Sequence, residues 1–139
     1  MVYTANLAPR IELHSSLIEA LGEEKSKDLQ VRFLAYKAGR RPEDFGRDVP
    51  FDWPVQVAQS ELWHIHLLSD EQIKLYKQRG IRQQIKQTSD QFLVYVQHFS
   101  ERYRYLLIAL IPEPAHKICR KQQTKLPGYA DIAEEFHSS

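Results

Sequence analysis

FLVYVQHFSERYRYLLIALI, running from Phe92 to Ile111, decides the fold. Phe92–Phe99 is rich in β-branched and aromatic side chains, and Tyr103–Ile111 is apolar at nearly every position after Tyr105. Both read as strands. Only Ser100-Glu101-Arg102 separates them, a gap that suits an antiparallel hairpin. A strand without polar alternation is one covered on both faces, so Tyr103–Ile111 is predicted to run centrally in a sheet.

Outward from the hairpin, Leu62-Trp63-His64-Ile65-His66-Leu67-Leu68 alternates and adds a third strand. Pro114 suits the first turn of a helix running to about Gln122, and Tyr129, Ile132, Ala133 and Phe136 share one face of a closing helix. Residues 13–39 read as helical. Leu17, Ile18 and Leu21 share a face, Gly22 offers a stop, and Leu29, Phe33 and Tyr36, with Leu34 beside them, extend the pattern to Gly39. Arg40–Pro54 holds three prolines and a glycine, so it reads as a loop, pinned to the body by Phe45, Phe51 and Trp53. Ile73–Gln87 fits no single period, and Gly80 marks where it would split into two short strands. The expected architecture is α+β in one domain over residues 1–139: N-terminal helices, a central mostly antiparallel sheet, C-terminal helices.

With 139 residues, 42% hydrophobic and 27% charged, the chain can bury a core without staples. A single cysteine, Cys119, excludes a disulfide scaffold. Met1–Asn6 lacks the basic and apolar segments of a signal peptide. The longest apolar run, Tyr105–Ile111, is far short of the roughly 20 residues of a membrane helix. A cytoplasmic protein without a membrane partner is expected. The net charge of +1 hides an asymmetry: ten basic against twelve acidic residues up to Gln78, then nine against three from Arg79 to Lys125. Arg102, Arg104, Lys117, Arg120 and Lys121 belong to this basic segment, which suits either a phosphate-binding face or a solvated surface.

His64-Ile65-His66 is the sharpest chemical feature. On a strand both imidazoles project to one face while Trp63, Ile65 and Leu67 project to the other. The apolar face is expected to meet the core, leaving the histidine face open. Such a pair can divide acid and base duties near neutral pH, serve as two ligands of a metal site that lacks an evident third, or simply be surface histidines. Arg47 and Asp48 follow Gly46; Arg47 can clamp a phosphate, or the two can pair and pin the loop. His116 and Lys117 fall on the first turn of the helix after Pro114, joined by Arg120, where an anion would be favoured. Cys119 reads as a packing residue. No glycine-rich phosphate loop is present.

Phe45-Gly46-Arg47-Asp48, Trp53-Pro54, His64-Ile65-His66-Leu67, Leu93-Val94-Tyr95, Leu106-Leu107-Ile108-Ala109 and Pro112-Glu113-Pro114-Ala115-His116-Lys117 occur in an order that resembles the YafO family of bacterial type II toxins. Ala133-Glu134-Glu135-Phe136 is similar to that family's last helix, and Ser69–Gln91 departs from the pattern. The resemblance implies a small microbial-ribonuclease-like mRNA interferase that cleaves messages on the ribosome without a metal or other cofactor. It also implies a cognate antitoxin encoded alongside, and operator DNA bound only through the toxin–antitoxin complex. His64, His66, Arg47, Asp48 and His116 are then the catalytic candidates, and Lys117, Arg120, Lys121, Arg102 and Arg104 the RNA-binding ones. A non-catalytic protein that blocks translation by occupancy would use the same basic segment without needing the histidines, and a metal-dependent hydrolase would use the histidines as ligands.

Overall fold

The structure, a computed structural model, describes residues 7–121 and 125–139. Five strands form one sheet: β1 (Arg10–Leu13), β2 (Phe45–Pro50), β3 (Leu62–Leu67), β4 (Phe92–Gln97) and β5 (Arg104–Ile111). Their order is β1-β5-β4-β3-β2, with β1 parallel to β5 and all other neighbours antiparallel. The helices are α1 (Ser15–Leu21), α2 (Glu23–Lys37), α3 (Val55–Gln59), α4 (Asp70–Gln78), α5 (Ala115–Arg120) and α6 (Leu126–His137). The expected α+β architecture is present. The end expected for α5, about Gln122, lies outside the described residues, as does Met1–Asn6.

Helices cover both sheet faces. Leu17 of α1 and Leu29 and Phe33 of α2 pack on Ile65, Leu93, Tyr95 and Leu107. On the other face Val57, Ala115, Ala130, Ala133 and Phe136 from α3, α5 and α6 pack on Leu62, Phe92, Val94, Val96 and Ile108. Burying a large apolar side chain contributes roughly 1.5–3 kcal/mol, and β4 buries all of Phe92–Val96. The middle of the sheet is therefore β4. The hairpin strand β5, expected to be central, lies one place from the middle; β1 on its outer side makes it an interior strand, and it is covered on both faces.

Three local expectations are corrected. Residues 10–12, expected in no element, and Leu13, expected to begin the helical stretch, form β1, aligned Arg10↔Arg104 to Leu13↔Leu107. The segment expected to be a loop contains β2, which pairs with β3 through a bulge between Phe45 and Asp48. Part of the ambiguous segment is the helix α4, not a pair of strands. Ser69 accepts from Gln72 N–H and the Gln72 side chain accepts from Ser69 N–H, a closed capping box that satisfies two first-turn donors. Gly22 breaks the N-terminal helical stretch in two at φ +85°, a conformation that favours glycine.

The bulge in β2 depends on Gly46. A Cβ there would lie 2.2 Å from the Gln87 carbonyl oxygen and 3.0 Å from Leu68 Cδ2. Arg47 N–H donates to that same carbonyl at 2.8 Å, so the close approach is what seats Arg47. Gly46→Ala is expected to lower stability by about 1–3 kcal/mol through overpacking. A urea denaturation midpoint equal to the parent's would contradict this account of the bulge.

Candidate active site

Alternation along β3 does place His64 and His66 on one face, but that face is not open. Both rings are buried, at 9% and 3% exposure, while Trp63 on the opposite face is 37% exposed. The expectation failed because α3, α5 and α6 cover the histidine side. His64 stacks on Phe51 with centroids 4.1 Å apart, and Phe92 lies 4.6 Å from His64 and 4.8 Å from His66. The two imidazoles are 5.4 Å apart.

A third imidazole completes the group. His116, on the first turn of α5, packs edge-on to His66 at 5.5 Å and to Phe92 at 4.9 Å. Asp90 holds it twice, accepting from His116 N–H and bonding its Nδ1, each at 2.8 Å. The Asp90 backbone carbonyl also takes Ala115 N–H at 3.0 Å. Among the described residues His116 Nε2 has no hydrogen-bond partner, and these bonds hold the Asp90 carboxyl below the usual carboxylate range. A cavity of about 350 Å3 opens here, lined by Phe51, Trp53, His64, Phe92, His116 and Arg120 among others. His66 lies beside the cavity, not on its wall.

Burial governs the charge of the inner pair. Desolvation, then the neighbouring His66, His116 and Arg47 charges, push His64 down to about 3. Desolvation, then His116 and Arg47, push His66 down to about 4. Both rings are therefore neutral at physiological pH. Ser89 N–H donates to His66 Nδ1 at 2.9 Å, so neutral His66 carries its proton on Nε2. His64 Nδ1 is buried without a hydrogen-bond partner among the described residues.

The other candidates separate. Arg47 lies near enough to the inner pair for its charge to act on both rings. Its neighbour Asp48, one residue on along β2, faces the other helical layer. There it accepts from Tyr36 Oη at 2.7 Å and from Tyr95 Oη at 2.8 Å. Burial raises the Asp48 pKa, and Lys37, over the rings of Phe33, Tyr36, Tyr95 and Tyr105, is lowered by burial in turn. Lys117 and Arg120 are exposed on α5, and Lys121 at its end. Arg102 sits at the hairpin end of β4–β5, the opposite end of the sheet from Phe92 and His116. Arg104 is buried at 7% exposure and bonded to Glu12, Glu101 and the Ser139 carbonyl. Sequence reasoning missed Asp90 as a site residue; nothing in its local spacing marks it, since it meets His116 only through the β4–β5 hairpin and the turn into α5.

The sequence itself places the chain among known proteins. Residues 34–138 match the family described as Toxin YafO, type II toxin-antitoxin system. The chain is also 32% identical over 122 residues to the mRNA interferase toxin YafO of Escherichia coli (strain K12), covering 84% of this chain and 88% of that relative. No solved structure matches. It is a toxin of the type II toxin–antitoxin class. Within that class the chain belongs to the YafO family. The resemblance expected from the six motifs is thereby established, and among the described residues no helix is long and apolar enough to cross a membrane.

The neutral inner pair makes stability pH-dependent. Unfolded histidines take up protons near pH 6.5, whereas His64 and His66 resist until about 3 and about 4. Between those limits the unfolded chain binds more protons, so stability falls as pH is lowered through that window. Each ring is expected to contribute about 1–2 kcal/mol of loss by pH 5. His64→Phe keeps the stacked ring and removes one titration, so its urea midpoint should vary less between pH 7 and pH 5. Equal pH dependence in parent and variant would contradict burial of a neutral His64.

Proposed function

We propose that the chain is a metal-independent endoribonuclease that cleaves mRNA on the ribosome and is neutralised by a cognate antitoxin. The observation that carries this reading is the Asp90–His116 pair facing His64 across one cavity with Arg120 on its wall. The relative's name, mRNA interferase toxin, supports the same reaction class. Metal independence is supported by the donor set: among the described residues no three His, Cys, Asp or Glu side chains are arranged to hold an ion.

Cleavage next to a ribose needs no water. His116 Nε2, its ring oriented by Asp90, accepts the 2′-OH proton, and the freed oxygen attacks phosphorus. Arg47 and Arg120 stabilise the charge that builds on the nonbridging oxygens. The entering phosphodiester is anionic and favours the protonated form of a neighbouring imidazole. His64, on the cavity wall, then protonates the leaving 5′-oxygen, giving a 2′,3′-cyclic phosphate and a 5′-hydroxyl. His66, tied to Ser89, positions His116. Asp48 and Arg104 have structural work on this reading: Asp48 orders the tyrosines beneath α2, and Arg104 ties the sheet to the C-terminus. Lys117, Arg120 and Lys121 supply the phosphate contacts beside the cavity, where Trp53, 55% exposed, offers a stacking face for a base.

The exposed ring is the clean test, because truncating the buried pair would leave cavities. His116→Ala is expected to lower cleavage of a translated message by about 100- to 10,000-fold, read by primer extension, with parental circular dichroism and unchanged antitoxin binding. Parental cleavage by His116→Ala would overturn this assignment. Full growth arrest by the variant without cut message would favour occupancy of the ribosome over catalysis. EDTA is expected to leave cleavage by the parent unchanged; loss restored by zinc would transfer the histidines to a metal reading.

A further inference from the structure

β5 outruns its outer neighbour. The pairing of β1 with β5 stops at Leu13↔Leu107, yet β5 continues to Ile111. Among the described residues, Ile108–Ile111 therefore has a strand neighbour only on its β4 side. On the outer side Ser16 Oγ donates to the Ile108 carbonyl at 3.2 Å, a side chain standing where a strand would be. Unpaired strand margins are templates for another chain.

That margin floors a trough. One part, about 460 Å3, lies between α1 and α6, with Leu17 and Ala20 on one wall and Gly128 and Tyr129 on the other. A second part, about 380 Å3, continues past Pro112 to Ile118 and Lys121. Leu110, Lys125 and Tyr129 line both, so the two parts form one channel along the strand. Among the described residues, Lys121 and Lys125 are the charged side chains on its walls and no carboxylate lines it. A Cβ added at Gly128 meets nothing within 4 Å, so the first turn of α6 leaves room for a second backbone.

The geometry points to this trough as the seat of the antitoxin, bound as an extended segment that adds a strand beside Ile108–Ile111. Main-chain hydrogen bonds to the free margin give the docking, apolar side chains fill the walls, and acidic ones meet Lys121 and Lys125. Four residues of margin accommodate a strand of about 13 Å. The apolar walls suit a peptide better than a polyanion, and the lysine rim selects an acidic one. α5 carries His116 toward the cavity and Ile118 toward the trough, so an occupant here bears on the helix that holds the proposed proton acceptor. The inference rests on membership of a type II toxin family and on the antitoxin named under the proposed function, and not on the histidine chemistry.

The test uses the full chain with the antitoxin encoded beside it. Gly128→Trp fills the trough without displacing core atoms, and Lys125→Glu reverses part of its rim. Each is expected to weaken antitoxin binding at least tenfold by calorimetry, while Gly128→Trp keeps parental message cleavage and escapes neutralisation. Hydrogen exchange of the parent should show new protection over Ala109–Ile111 when the antitoxin binds. His116→Ala should bind the antitoxin as the parent does, which separates failure of the docking site from failure of the catalytic reading. Parental affinity in both trough variants, or no added protection over Ala109–Ile111, would overturn the proposal. So would a dimer of the free chain that Gly128→Trp dissolves, since the trough would then seat a second copy.

Discussion

Burial of β4 on both faces is the constraint on which the rest of the structure depends. Phe92 to Val96 are all enclosed, which requires a helical layer on each side and roofs the histidine face of the neighbouring β3. His64 and His66 are consequently interior groups whose neutrality follows from lost hydration. The same covering layer delivers α5, and with it His116, over the end of the strand. Asp90, two places before β4, then fastens that helix start through three hydrogen bonds. The cavity is thus a product of how the sheet is roofed.

Adjacent strand residues go to opposite layers, and β2 shows what this does to a motif. Arg47 and Asp48 look like one ion pair in the sequence, yet the strand sends Arg47 toward the imidazoles and Asp48 toward Tyr36 and Tyr95. The basic segment divides likewise. Arg120 lines the cavity and Lys121 the trough beside β5, while Arg104 is consumed by Glu12, Glu101 and Ser139. Charge counted along a chain measures neither location nor availability.

The hairpin, β3, α5 and α6 were legible because each carries its own periodicity or turn signal. β1 was not, since its four residues alternate Arg10, Ile11, Glu12, Leu13 and gain strand character only by pairing with residues more than ninety positions away. β2 was hidden by Gly46 and Pro50, which read as loop punctuation but are accommodated by a bulge and by the strand's end. α4 was readable: Ser69 and Gln72 spell a capping box, and Gly80, taken as a divider of strands, follows the helix end. At the candidate site, the histidines and Arg47 were visible as residue types. Their burial and the partnership of Asp90 with His116 arise from tertiary packing, and no local pattern encodes them.

The central claim is that one cavity holds a neutral buried His64, with His66 beside it, opposite an aspartate-bound His116 and receives the phosphodiester there. The most direct measurement is nitrogen-15 NMR of the imidazole rings, free and with an RNA oligonucleotide carrying a 2′-deoxy nucleotide at the scissile position. The account predicts neutral-ring signals for His64 and His66 in the free protein down to about pH 5. It further predicts that the oligonucleotide shifts the His116 and His64 nitrogens, with His64 moving toward its protonated form. Rings of the inner pair that titrate near 6.5, or a bound oligonucleotide that leaves all three imidazoles unmoved, would contradict it.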